Sequence, residues 1–308
     1  MKGTGAVPAM DAPKKAAAAA IRDAIPADEA VFYAKEASSE TELLARLQSI
    51  EEVASVSDSL SFAGLARLCR ARDGGVSFES FPDPRRLWLG ATFDCLAEHE
   101  ALEFLAPLRN KSVLQLGGKG TEAVKLMLGG ARAGYVVSPV ESELDCAREL
   151  ARLCGVKLAC HLGLAEEIPF PDGSFDAVYA PGCAHHFQTE EAFPEIARVL
   201  RPGGRFAAVE PWRAPFYALG IKIFGKREKD VNCSPLTRER VESLGQHFLF
   251  HKVRLHGTLS RYALIALGKL GWMAPLETAW RVMGADDALC SLLRLRSCGS
   301  SAAVLAQK

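Results

Sequence analysis

From Lys111 onward, short apolar runs alternate with amphipathic stretches, and glycines or prolines separate them. Ser112–Leu116 (SVLQL) predicts a strand, Gly117–Gly120 a turn, and Glu122–Leu128 a helix stopped by Gly129-Gly130. Gly134–Val137 predicts a second strand. Ser138-Pro139-Val140-Glu141 then has the form of a capping box with proline at the first helical position. The helix behind it places Leu144, Ala147, Ala151 and Cys154 on one face and stops at Gly155. Val156–Leu162 and Phe175–Ala180 predict a third and a fourth strand. Glu190–Leu200 reads as a helix ended by Pro202-Gly203-Gly204, and Arg205–Glu210 as a fifth strand. Towards the end, Arg238–Gln246 looks helical, Phe248–Leu255 strand-like, Leu259–Trp272 an apolar helix and Ala302–Ala306 a final strand. Alternation of this kind implies an α/β domain whose parallel sheet is covered on both faces.

The region before it has a different texture. Residues 14–24 form a strong helix that ends before Pro26, and Leu43, Leu44, Leu47, Ile50 and Val53 share one helical face. A further short helix fits Leu60–Arg70, and Pro82 and Pro84 punctuate a linker. The division expected is a helical appendage over 1–86 and an α/β domain over 87–308. Insertions at about 211–235 and 258–299 are expected to serve as lid and substrate region.

Charge and cysteine content narrow the classes of function. In a chain of 308 residues, 37 Lys+Arg balance 37 Asp+Glu, so no surplus of cations marks a nucleic-acid binder. Nine cysteines without a C-x-x-C pair read as free thiols in a reducing, cytoplasmic setting. The first residues lack the apolar core of a secretory signal, and Tyr262–Met273, interrupted by Lys269, falls short of the ~20 residues that span a bilayer. No integral membrane segment is expected. His247, His251 and His256 have no acid or cysteine at ligand spacing, so no metal is expected either.

The chemistry is expected at the first glycine turn, because ligands of open α/β sheets bind at the carboxyl ends of the strands. The turn is Leu116-Gly117-Gly118-Lys119-Gly120-Thr121. Gly118 to Ala123 also fits the G-x-G-x-x-[GA] dinucleotide fingerprint, with Glu141 about 20 residues on. A nicotinamide cofactor is the rival that this pattern raises. Two downstream motifs point elsewhere: Ile168-Pro169-Phe170-Pro171-Asp172-Gly173-Ser174-Phe175-Asp176-Ala177-Val178, and Arg198-Val199-Leu200-Arg201-Pro202-Gly203-Gly204.

With these motifs behind a strand, glycine turn and helix, the chain resembles the class I S-adenosylmethionine-dependent methyltransferases of the type 11 domain. The resemblance is close over about 87–210 and looser beyond. It implies a Rossmann-like seven-stranded sheet, mostly parallel with the last strand antiparallel. S-adenosylmethionine would then lie over Gln115, Gly117, Gly118, Gly120, Ser138, Leu164, Ala165 and Pro181. Matched position by position, the family's acid in the first strand falls on Gln115, and the glycines flanking the turn fall on Lys119 and Thr121. The acid that grips the ribose falls on Ser138, and the Asp that meets the adenine amino group on Leu164. Glu141 and Glu166 are the nearest spare acids, and Lys119 would suit an anionic ligand.

His185 and His186, after the fourth strand, are the candidates for a general base. Trp212, Phe216 and Tyr217 are candidates to line an acceptor site. Two functions stand side by side. One is methyl transfer to a small hydrophobic molecule. The other is a methyltransferase-like protein that no longer methylates and serves as a scaffold, pairs with itself or an active homologue, or holds an anionic ligand in the same pocket.

Overall fold

In the computed structural model of the protein, residues 93–153, 155–215, 235–272, 274 and 276–308 are described, together with Thr41. The helices expected at 14–24, 41–53 and 60–70 lie outside the described residues apart from Thr41, as do Phe216 and Tyr217.

Helix α1 (Cys95–Leu105) leads into β1 (Ser112–Leu116), α2 (Thr121–Leu128), β2 (Ala133–Ser138), α3 (Glu141–Leu153), β3 (Leu158–Leu162) and β4 (Phe175–Pro181). Then follow α4 (Thr189–Val199), β5 (Leu200–Pro211), the short helices α5 (Arg238–Glu242) and α6 (Leu244–His247), and β6 (Phe250–His256). Helices α7 (Ser260–Lys269) and α8 (Leu276–Leu292) precede the last strand, β7 (Ser301–Gln307). The strands form one seven-stranded sheet in the order β3-β2-β1-β4-β5-β7-β6. Neighbours from β3 to β5 are parallel, and β7 runs antiparallel to both β5 and β6.

All five residues of β1 are buried, as expected of a central strand covered on both sides. On one face, Ala97, Ala101, Leu102 and Leu105 of α1 meet Val113, Tyr179, Ala207 and Leu305. On the other, Phe193 and Ile196 of α4 pack with Leu114, Phe175, Val178 and Phe206. Lys125 of α2 is buried and joins this helix to α1 through Glu98 (3.3 Å), while also pairing with Glu122 (2.9 Å). Its two acids hold the ammonium charged against the cost of burial.

Two strand boundaries and one helix cap differ from the sequence expectation for local reasons. Strand β3 starts at Leu158 rather than Val156, because the Val156 amide bonds back to Ala151 O and the Gly155 amide to Arg152 O. With Gly155 at φ +67°, this pair of bonds closes the end of α3. Strand β5 begins at Leu200, with a register shift before Ala177↔Arg205 that passes the Pro202-Gly203-Gly204 bend. The capping box is also rearranged. Ser138 Oγ accepts from the Val140 amide (3.1 Å), but the acid that returns to Ser138 is Glu143, whereas Glu141 pairs with Arg148 on the outside (3.1 Å).

Candidate active site

Beyond Leu116 the chain turns through Gly117 and Gly118, both at positive φ (66° and 72°). A Cβ on Gly118 would meet only the Gln115 amide nitrogen, at 3.3 Å, and this residue borders a cleft of about 400 Å³. Gly120 has a different task. A Cβ there would stand 2.4 Å from that of Ala147, so its bare backbone lets α2 approach α3.

Gln115, buried to 1% exposure, braces this turn from inside. Its Nε2 donates to Gly117 O (2.7 Å) and its Oε1 accepts from the Ala123 amide (2.6 Å). Both ends of the amide therefore serve the strand–turn–helix junction rather than the cleft.

The cleft lies over the carboxyl ends of β1, β2 and β4, between the glycine turn, Gly163–Glu167 and the segment Pro181–Gln188. Four carboxylates line it: Glu143, Glu166, Glu167 and Glu191. No Lys or Arg does so among the described residues, and Lys119 is not part of the lining. Glu143 reaches in from the first turn of α3, where its Oε2 accepts from the Gly118 amide (2.9 Å) and from Ser138 Oγ (2.5 Å). Burial raises the Glu166 carboxyl above its ordinary range; the amide of Gln188, which donates to it (2.7 Å), pulls the other way, and the charge of Glu191 adds to the rise.

The histidine pair divides into two roles. Glu210, at the end of β5, has a fully buried side chain and accepts from the amides of Cys183 (2.9 Å), Ala184 (2.6 Å) and His185 (3.3 Å). Its Oε2 also bonds the ring Nδ1 of His185 (2.7 Å). Arg240 fastens the same segment by donating to His185 O (3.1 Å) and Phe187 O (2.7 Å). His185 is thus bound behind the surface, and His186, with its ring centroid 4.1 Å from that of His185, faces the cleft. Burial, with the neighbouring His185 and Arg240, lowers the His186 pKa to about 3. Its imidazole is neutral near pH 7 and a weak base in the resting protein. The Cys183 thiol bonds Leu116 O (2.9 Å), and burial raises its pKa well above the usual thiol value, with Glu210, Glu143 and Glu166 adding to the rise. The protonated thiol is therefore its resting form.

Of the residues singled out from sequence, Gly117, Gly118, Leu164, Ala165, Pro181 and His186 line the cleft. Gln115, Gly120, Ser138 and His185 stand one layer behind them. Trp212 is buried in a bridge to Leu236 and does not border the cleft. Sequence reasoning missed Glu143, Glu191, Glu210 and Arg240. Glu210 left one signal, an acid closing an otherwise apolar strand (Phe206-Ala207-Ala208-Val209-Glu210). Among the described residues, none of α7 or α8 lines the cleft; the two helices pack on α1 through Leu264, Ala279 and Met283 against Cys95. Among the described residues, no helix is long and apolar enough to cross a membrane, and no group of three or more His, Cys, Asp or Glu could hold a metal ion.

Residues 114–208 match the family model of a methyltransferase domain. An uncharacterized methyltransferase of Mycobacterium tuberculosis (strain ATCC 25618 / H37Rv) is 39% identical over 111 residues, covering 36% of this chain and 44% of that protein. The 27-O-demethylrifamycin SV methyltransferase of Amycolatopsis mediterranei is 30% identical over 137 residues, 43% of this chain and 50% of that one. The chain thus spans about half the length, or less, of these relatives. Among solved structures, geranyl diphosphate methyltransferase in complex with SAM superposes with a TM-score of 0.51 at 18% identity, over 70% of this chain and 84% of that one. That last likeness concerns the fold. Over residues 114–208 the chain is thus similar to methyltransferase domains, and its fold is that of the solved methyltransferase.

Proposed function

We propose that this protein transfers a methyl group from S-adenosylmethionine to a small molecule. The observation that carries the reading is the acid-lined cleft over the glycine turn, at the carboxyl ends of β1 and β2. S-adenosylmethionine bears a sulfonium and an ammonium against one carboxylate, so it is cationic overall. Four glutamates and no Lys or Arg among the described lining residues suit such a ligand. A dinucleotide pyrophosphate, or another anion, would find no Lys or Arg to meet it among the described lining residues. The acids expected from the resemblance at Gln115, Ser138 and Leu164 are absent, yet Glu143 and Glu191 bring carboxylates to the cleft from other positions.

When bound, the cofactor supplies an electrophilic methyl group. The chain's own part is positioning. Gly118 leaves room for a ligand beside the turn, while Leu164 and Ala165 give an apolar wall. Glu210 and Arg240 hold the 183–187 segment rigid, so His186 and Phe187 present one polar and one aromatic surface to an acceptor. Holding acceptor and donor in line accounts for a large part of the barrier reduction in such a transfer. The activity named for the rifamycin relative supports a small-molecule acceptor.

Calorimetric titration of the full chain with S-adenosylmethionine and S-adenosylhomocysteine tests this reading. Binding of both, with dissociation constants well below roughly 1 mM, is expected. Folded protein that binds neither at that concentration would overturn methyl transfer and favour the scaffold role.

A further inference from the structure

Five exposed leucines meet at the C-terminal end of α8. Leu289, Leu292 and Leu293 share one helical face and are 52%, 80% and 55% exposed, while Ala279 and Met283 of the same helix are buried against Leu264 and Cys95. The helix closes through two bonds, from the Leu295 amide to Cys290 O (2.7 Å) and from the Arg294 amide to Ser291 O (3.2 Å). This closure puts Arg294 at φ +58°, a left-handed position that glycine fills without steric cost. The residue that follows commonly packs back on the helix in such a closure, yet Leu295 is 44% exposed. Leu259, 68% exposed, stands beside them, because its amide donates to Asp286 (3.0 Å), one turn before Leu289. Arg294 and Arg296 are exposed among these leucines, and residues 288–308 contain no acid. The two acids just before, Asp286 and Asp287, are taken up by Ser260 Oγ (2.6 Å) and by His256. This end of α8 leads through Arg296–Cys298 to Ser301, which pairs with Pro211 and His256 at the carboxyl ends of β5 and β6. The patch therefore lies at the end of the sheet that also carries the cleft.

We propose that this patch docks the protein reversibly on the surface of a bilayer that contains anionic phospholipid. The leucine tips enter the boundary between headgroups and acyl chains, and the guanidinium groups interleaved with them meet lipid phosphates. The helix dipole accounts for a cation near a C-terminus, but not for five leucines left in water beside it. A second copy of the chain fits this face less well. A two-fold contact sets a patch against itself, which would bring Arg294 and Arg296 towards their own copies with no acid after Asp287 to meet them. Docked in this way, the chain lies on the membrane with the cleft-bearing end of its sheet close to the lipid. Taken with the function proposed above, that orientation draws apolar acceptors from the lipid phase.

The test is co-sedimentation of the full chain with vesicles, read as binding and independent of methyl transfer. The vesicles are phosphatidylcholine alone, or phosphatidylcholine mixed with phosphatidylglycerol. Wild type should partition onto the mixed vesicles at least roughly fivefold more strongly than onto phosphatidylcholine alone. Replacing Leu292 and Leu293 together by serine should cut binding to the mixed vesicles by roughly tenfold or more. Arg294→Gly removes a cation and relieves the left-handed backbone, so it should melt no lower than wild type while binding the mixed vesicles roughly fivefold more weakly. Arg152→Gln, an equal loss of charge on the exposed side of α3, should bind within about twofold of wild type. An equal loss in Arg152→Gln, or wild-type binding in Arg294→Gly or in the double leucine variant, would overturn the patch. Wild type that leaves both kinds of vesicle in the supernatant would overturn membrane docking. If that protein also sediments as a dimer that the double leucine variant dissociates, the face is a contact between copies instead.

Discussion

Two segments precede helix α4 in the chain, and they do opposite work. Ile168–Asp176 carries the pattern that makes the family recognisable, yet none of its residues lines the cleft. It is a knot tied to α4 and the start of β5. Arg198 donates to Ile168 O (2.9 Å) and Phe170 O (2.8 Å) while pairing with Glu195 (2.7 Å) and Asp172 (2.9 Å). Arg201 holds Gly173 O (3.0 Å) and Asp176 (2.8 Å), and Asp176 also accepts from the Ser112 amide (2.8 Å). Pro181–Gln188, which leads into α4, contributes Pro181, Gly182, Cys183, His186, Phe187 and Gln188 to the cleft. Its shape is set from a distance, by Glu210 and Arg240. The first segment commits its donors and acceptors to Arg198 and Arg201, 25–30 residues away, and leaves nothing in the cleft. The second borders the cleft and takes its conformation from Glu210, 25–27 residues away, and Arg240, 53–55 away.

This contrast predicts that binding and stability separate. The largest effect is expected at the cleft. Gly118→Trp fills the space beside the turn and should weaken S-adenosylhomocysteine by roughly a hundredfold or more, as overpacking of a preformed site does. Its unfolding free energy should fall by only ~1–2 kcal/mol, the cost of a side chain at positive φ. Unchanged affinity by calorimetry would place the ligand elsewhere.

Breaking the knot should do the reverse. Arg198→Ala removes the donors to two backbone carbonyls and two carboxylates, and is expected to cost ~3 kcal/mol in urea unfolding. The protein that remains folded should bind S-adenosylhomocysteine within about threefold of wild type, a shift of under ~1 kcal/mol. A loss of affinity as large as that of Gly118→Trp would mean that the two segments are coupled.

The far side of the sheet supplies a third comparison, through pH. His256, at the end of β6, bonds Asp287 through Nδ1 and Glu100 through Nε2 (2.8 Å). Burial alone would lower its pKa, but these two acids raise it to about 9. With the folded value above the unfolded one, the stabilising contribution is full below about pH 6.5 and is lost as pH rises through 9. Stability should fall by about 2 kcal/mol between pH 7 and 10, and His256→Gln should flatten that part of the profile in denaturant titrations. A slope that persists in the variant would assign the transition to another group.

Much of the fold is legible in the order of residues alone, because periodicity is a local property. Buried runs such as Ser112–Leu116, glycine stops and the alternation of strand with helix define the elements β1 to β5 and the helices between them, within a few residues. Helix α1 leaves no such trace. Its buried residues, Cys95, Ala97, Glu98, Ala101, Leu102 and Leu105, include an acid and two alanines, so its apolar stripe is faint. Glu98 is met there by Lys125, 27 residues later.

The site divides in the same way. The amino-acid sequence by itself determined where the cleft would open, since a glycine turn after a buried strand needs residues that tolerate positive φ and leave the backbone open. It also presented the changes at Gln115, Ser138 and Leu164, which by themselves suggest that cofactor contacts were lost. Only the tertiary structure decided which side chains border the cleft. Ser138 aims Glu143, Gln115 braces the turn, Glu210 engages His185 and leaves His186 facing the cleft, and the walls carry four carboxylates. The physical reason is reach. A side-chain hydrogen bond extends about 3 Å in space, and the pairs that shape this cleft, such as Glu210 with Cys183 or Arg240 with His185, meet only after the sheet has brought their strands and helices together.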